Sequence, residues 1–336
     1  MTARSFHWAW SLAAILAAIL VVAGCTAVGS SPSTAAGSPT PAACAATPAP
    51  QGTPDGWDVG AQRPSVFPQI INPSGAIACG RTRLMFSFLD ANNAPVAAPD
   101  RSVEVALYDL GTDPTKAAIT GPAMFIWAIE PTTGVYVIDA DFPTSGAWGA
   151  EFRTAVGDAA PEAIRMTFEV QPTSAVVSVG ERAPASDTPT LSDFGGDVSK
   201  ISTDDSPVTA FYETSVADAL AARKPFVLAF ATPKFCASAQ CGPTLDRLKP
   251  IAAAHPDVTV INVEPYQLQE TDGQLQPVMT GDPPNLTPAA ATTEWRLVSE
   301  PWVFVVDKDG IVRSSFMLIF SDEELNAAIA AVEAGA

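Results

Sequence analysis

The stretch from Phe226 to Pro243 constrains the fold of this 336-residue chain more than any other. It opens with an uninterrupted apolar run, Phe226 to Ala231, which has the length and composition of a strand buried on both faces. Thr232-Pro233-Lys234-Phe235 breaks the run and presents Cys236 and Cys241, with a helical pattern following at once. A second apolar run, Trp302 to Val306, is led in by Ser299-Glu300-Pro301 and closed by Asp307-Lys308-Asp309-Gly310. A strand that hands paired thiols to a helix N-terminus suits disulfide exchange, because the thiolate is the nucleophile and peptide dipoles favour it. Lys234, two residues before Cys236, adds a cation to the same environment.

The N-terminus predicts export. Arg4 precedes an uninterrupted small-apolar run, Ser11 to Val22, and Val22-Ala23-Gly24-Cys25 resembles a bacterial lipobox, which implies lipidation at Cys25. Residues 1–25 are therefore expected to be a lipoprotein signal peptide. Residues 26–60, nearly all Ala, Pro, Ser, Thr and Gly for most of their length, hold too little bulky apolar surface to offset chain entropy. They read as a disordered tether that lets the folded part stand about 30 Å from the lipid. The expected location is the extracytoplasmic face of the bacterial cell membrane, with the membrane contact made by the lipid.

What remains exceeds one ordinary core, so two domains are expected. The 18 basic and 36 acidic side chains give a net charge of −18, and Arg4 is the sole basic residue ahead of Cys25. So acidic a surface argues against nucleic acid and against electrostatic docking on anionic lipid. Only His255 remains after the signal, so no His-built metal site is available and no cofactor is expected. With Cys25 assigned to the lipid, an oxidising compartment favours pairing of the other four cysteines. Their spacing makes Cys236–Cys241 one pair. Cys44 and Cys79 are then either a second disulfide, stapling the tether to the first domain, or two free thiols.

From 61 to 173 the chain alternates short β-type runs with turn chemistry. Arg83 to Leu89, Val103 to Tyr108, Ala123 to Ile129, Val135 to Ile138, Trp148 to Phe152 and Ile164 to Val170 are expected strands of an antiparallel sandwich. Tyr136, Phe142 and Trp148, set among Gly134 and Gly146, resemble the core aromatics of small exported immunoglobulin-like modules. No acid–base pair, partnered nucleophile or ligand cluster falls here, so structural or partner-binding use is expected.

Residues 174–200 read as linker and lead-in, and 201–336 as the second domain. Expected elements are a helix near Ser215 to Lys224, the strand from Phe226, a helix from about Pro243 to Ala254, and a strand from Val258 to Val263. A polar insertion from Tyr266 to Glu294 follows, then strands Trp302 to Val306 and Ile311 to Phe316 around an Asp309-Gly310 hairpin, and a helix from Asp322 to Glu333. On the cysteine segment, on Pro301, and on the lead-in Gly180-Glu181-Arg182-Ala183-Pro184, this part resembles the thioredoxin-like superfamily, in its peroxiredoxin and cytochrome-maturation branch. The resemblance implies an α/β thioredoxin-like domain behind an all-β immunoglobulin-like sandwich. It implies Cys236 as nucleophile and Cys241 as resolving thiol. Pro301 matches the proline held in cis beside the redox pair, so Pro301 and Glu300 would supply the substrate-side backbone. Exported protein thiols, or a redox partner protein, are the implied partners.

The four residues between the cysteines depart from the thioredoxin pair, which has two. In a continuous helix, residues five apart lie about 8–9 Å apart at Cα, beyond disulfide reach of about 7 Å. Either the helix starts near Gly242-Pro243 and leaves both cysteines in a bridgeable loop, or its first turn unwinds on oxidation. Peroxiredoxins of the bacterioferritin-comigratory type unwind with this same spacing, and Thr232-Pro233 and Cys236 to Cys241 resemble their motif. Their threonine lies three residues before the cysteine, whereas Thr232 lies four before, and Pro301 stands where they carry a peroxide-orienting arginine. A peroxidase is thus one alternative, and a redox-inert thioredoxin-like binding or scaffold module with a structural disulfide is another. A copper-chaperone reading needs a histidine later in the chain than His255.

Overall fold

The computed structural model describes residues 44–335. The export signal, Cys25 and most of the expected tether lie outside the described residues. Eight strands form the first half: β1 (Phe67–Ile70), β2 (Gly80–Leu89), β3 (Arg101–Asp109), β4 (Ile119–Pro122), β5 (Met124–Ile129), β6 (Thr133–Phe142), β7 (Gly146–Val156) and β8 (Glu162–Val170). They make two antiparallel sheets, ordered β1-β2-β6-β5 and β4-β3-β7-β8. Leu84, Phe86 and Phe88 of β2 meet Val103, Val105, Trp148 and Phe152 of the facing sheet in one core. The Phe86 and Phe152 rings lie 4.6 Å apart, and Phe142 meets Trp148 edge-on at 4.9 Å.

Residues 44–60, read as tether, lie against this sandwich. Ala46 bridges to Ser145, and Cys44 is disulfide-bonded to Cys79, with Cα atoms 6.1 Å apart. Trp57 is buried against Tyr108 and beneath the Arg165 guanidinium, and its indole N–H donates to the Pro114 carbonyl. One large aromatic supplies apolar area that the rest of the segment lacks.

The second half contains α1 (Val216–Ala222), β9 (Phe226–Phe230), α2 (Cys241–Ala254), β10 (Thr259–Val263), β11 (Leu268–Thr271), β12 (Gln274–Pro277), β13 (Met279–Thr280), β14 (Asn285–Leu286), α3 (Ala290–Glu294), β15 (Trp302–Val306), β16 (Val312–Met317) and α4 (Asp322–Glu333). Its main sheet is ordered β10-β9-β15-β16. The lead-in runs along β16, with Gly180 donating to the Val312 carbonyl and Val312 donating to the Glu181 carbonyl.

The expected combination of an all-β sandwich with an α/β thioredoxin-like domain is corrected. Among the described residues strand outweighs helix, 36% to 19%, and is spread over five small sheets. In the second half only β10 and β9 pair in parallel, while β15 runs antiparallel to both β9 and β16. An unbroken apolar run such as Phe226–Phe230 reports burial on both faces, and burial does not fix the direction of the neighbouring strand. The Tyr266–Glu294 insertion adds to the strand content. It forms two small antiparallel hairpins, β11–β12 and β13–β14, before α3.

The two halves share a core. Met85, Ile126, Val135 and Val137, on the outer face of the β1-β2-β6-β5 sheet, join Leu228, Phe230, Trp302, Phe304 and Met317 of the mixed sheet in one buried cluster. Strand β2 therefore buries both faces, with Leu84, Phe86 and Phe88 in the sandwich and Met85 against the second half. Arg83, two residues from Met85 and on the same face, makes a bidentate ion pair with Glu324 of α4, at 2.7 and 2.9 Å.

Candidate functional site

Strand β9 is buried at every position and carries the chain straight into the loop Thr232–Gln240. Helix α2 then begins at Cys241, so Cys236 lies in the loop and Cys241 is the first helical residue. Pro243 falls in the first turn, where a missing N–H costs nothing because that donor has no partner within the helix. The loop route expects both cysteines ahead of a helix start near Gly242-Pro243, whereas in the oxidised pair only Cys236 lies ahead of the helix and Cys241 opens it. The cysteines are disulfide-bonded, with Cα atoms 6.0 Å apart.

The sulfurs differ in environment. Cys241 is fully buried in the core beneath α2, whereas Cys236 is half-buried. The Cys241 backbone N–H donates to Cys236 Sγ at 3.3 Å, and the Ser238 hydroxyl lies 3.3 Å from the same sulfur. As one of the first N–H groups of α2, the Cys241 N–H has no partner within the helix, which leaves it free for the sulfur. Lys234 is exposed, and its ammonium sits 3.7 Å from Asp205. The groups bonded to the Cys236 sulfur are thus a helix N–H and a hydroxyl rather than the expected cation.

Glu300 and Pro301 stand across from the loop, and their peptide bond is cis. The Glu300 carboxylate is buried and accepts from the Ala237 N–H at 2.8 Å and from the Tyr266 hydroxyl at 2.7 Å. Its main-chain carbonyl accepts from the Ser238 hydroxyl at 3.0 Å, and the Pro301 carbonyl accepts from the Leu318 N–H at 2.9 Å. Ser238 thus already uses one of the two lone pairs of the Glu300 carbonyl expected on the substrate side. Burial, and then the bond to Glu300, push the Tyr266 phenol up, so it remains a donor at neutral pH.

Thr232 is fully buried, and its hydroxyl lies 3.3 Å from that of Thr203. Thr203 donates to Glu264 Oε1 through both its N–H, at 2.6 Å, and its hydroxyl, at 2.7 Å. The Lys234 N–H in turn donates to the Thr203 hydroxyl at 3.4 Å, which ties Glu264 to the approach to the cysteine loop. Burial pushes the Glu264 carboxyl up to about 7, against the pull of the Thr232 and Thr203 donors, and Oε2 finds no hydrogen-bond partner among the described residues. Beside this network a cavity of about 640 Å³ is lined by Ile201, Asn262, Glu264, Tyr266, Leu268 and Ala291, among others.

Glu264, Tyr266 and Thr203 did not emerge from the sequence, although Glu264 carried a signal. It directly follows β10, Thr259–Val263, whose last four residues are buried, so the carboxylate lies at the end of a core strand. Among the described residues no group of His, Cys, Asp and Glu is arranged to hold a metal ion, and no helix is long and apolar enough to cross a membrane. His255 caps the end of α2 and contacts Glu333 and Asn326 of α4, both at 3.0 Å.

No family model and no curated protein matches this chain. Among solved structures it is similar to the Lin-41 filamin domain, at 13% identity and a TM-score of 0.19, over 32% of this chain and 93% of that one.

Proposed function

We propose that this chain is a lipid-tethered, extracytoplasmic thiol–disulfide oxidoreductase that acts on exported proteins, with Cys236 as nucleophile and Cys241 as resolving thiol. One observation carries the reading: a half-buried sulfur accepts a hydrogen bond from the first N–H of a helix, while its disulfide partner is fully buried behind it. That N–H favours the thiolate at Cys236, and the difference in exposure selects the sulfur that a partner can reach. The resemblance of the cysteine segment and of Pro301 to the redox segment of thioredoxin-like proteins supports the same assignment.

In the direction that oxidises a client, a client thiolate attacks Cys236 Sγ, and the Cys236–Cys241 bond breaks with its electron pair on Cys241. The client's second thiolate then attacks the client sulfur of the mixed disulfide and releases Cys236 as thiolate. Two electrons pass from the client dithiol to the cysteine pair, and the protons of the client thiols end on Cys236 and Cys241 or in solvent. The reverse sequence reduces a client disulfide. Both directions run between sulfurs alone.

Equilibration of the pair with glutathione or dithiothreitol, read by mass spectrometry, tests the reading. A reduction potential above about −270 mV is expected of an exchangeable pair. A value well below about −300 mV would make the bond a structural bridge and favour a redox-inert binding module. Rapid turnover of hydroperoxide that needs only Cys236 in its first step would favour a peroxidase.

A further inference from the structure

The exchange chemistry leaves the Glu300 side chain without a part, although its carboxylate is buried and hydrogen-bonded twice. A carboxylate is removed from water at a large cost unless donors meet it, so both of its bonds hold their partners firmly. One partner is the N–H of Ala237, the residue that follows Cys236. The next residue, Ser238, is tied to the Glu300 carbonyl and also lies at the Cys236 sulfur. Ala239 then adopts φ 59°, a left-handed conformation that an alanine keeps only where its surroundings hold it. The other partner is Tyr266, at the root of the Tyr266–Glu294 insertion, so the insertion braces the carboxylate from the far side.

We propose that Glu300 is a positioning residue, holding the Cys236 loop so that its sulfur stays on the Cys241 N–H when the disulfide is open, with Tyr266 as the brace. The inference rests on the oxidoreductase reading. Oxidised, the loop is closed covalently. Reduced, the ties from Glu300 to Ala237 and Ser238 are what keep the sulfur at the helix N-terminus, and with it the preference for thiolate.

The test compares Glu300→Gln with Glu300→Ala in the reduced full chain. Cys236 ionisation is followed by the pH dependence of its alkylation with iodoacetamide, read residue by residue by mass spectrometry. Both variants lack the charge, so a difference between them reports the clamp alone. The glutamine can accept from Ala237 and donate to the Tyr266 oxygen, whereas alanine does neither. The expected result is an ionisation constant about tenfold larger in Glu300→Gln than in Glu300→Ala, the size of effect that hydrogen bonding to a charged form produces. Exchange with a disulfide peptide at fixed pH should be faster in Glu300→Gln by a similar factor. Equal ionisation in the two variants would overturn the proposal. If Glu300→Ala fails to fold by circular dichroism, Tyr266→Phe against the unmodified chain replaces it. A roughly threefold smaller ionisation constant is then expected, and no change overturns the proposal. Failure of the unmodified chain to exchange with any disulfide would sink the oxidoreductase reading, while the ionisation comparison would still decide the role of Glu300.

Discussion

Among single residues, Glu264 sets the pH response. Its carboxyl is raised from 4.5 to about 7 by burial at the end of β10. The folded state therefore binds this proton more tightly than the unfolded state. Between pH 4.5 and 7 the folded protein holds more protons, so its stability falls as pH rises through that window and levels off above it. From about pH 5 to about pH 8 the expected loss is on the order of 2–3 kcal/mol, from the linkage relation. Urea unfolding at the two pH values measures it, and Glu264→Gln should remove that part of the slope. An unchanged slope in the variant would place the titration elsewhere. The cysteines and Pro301 were legible in the sequence because they are punctuation, two thiols and a rigid imide beside apolar runs. Thr203 was not, because a threonine in a polar stretch has no mark until the fold brings it to Glu264.

Among the elements, caps and turns explain where the chain changes course. Helix α4 starts with a capping box in which Ser321 Oγ accepts from the Glu324 N–H at 3.1 Å and the Glu324 carboxylate accepts from the Ser321 N–H at 2.8 Å. Ser-x-x-Glu ahead of an apolar pattern is a sequence-level helix start, and the helix begins at Asp322, where the sequence places it. Ser321→Ala should cost about 1 kcal/mol in urea unfolding at unchanged slope. A loss below a few tenths would mean that Arg83 holds Glu324 well enough without the cap. The insertion shows the opposite case, a turn signal masked by its surroundings. Asp272-Gly273 joins β11 to β12 with both residues at positive φ, 53° and 75°, the pattern that a two-residue hairpin turn requires. The polarity on either side hid it, since strands without an apolar face give no period-two signal.

Across the molecule, the described residues form one packed body, because the outer face of a sandwich sheet is also a wall of the second core. The Arg83–Glu324 pair joins the two halves at the edge of that wall, with side chains 9% and 18% exposed. Removing one partner strands a mostly buried charge, so Arg83→Ala should lower stability by about 3 kcal/mol. Calorimetry should still give a single transition, with calorimetric and van't Hoff enthalpies in agreement. Two resolved transitions would show that the halves unfold separately and that the shared core contributes little.

Local features are written in the chain: the strand that ends at the cysteines, the proline ahead of β15, the cap of α4 and the acidic balance. Each occupies a few adjacent residues or a simple count, where backbone preference, apolar period and charge act directly. Other features came with folding. These are that β15 runs antiparallel beside β9, that Trp57 closes over the sandwich, and that Glu300, Tyr266 and Ala237 meet at one carboxylate. Strand direction, burial and hydrogen-bond partnership are relations between segments distant in the chain. Neither composition nor period records them, because the free energy that selects them arises only when those segments leave water together.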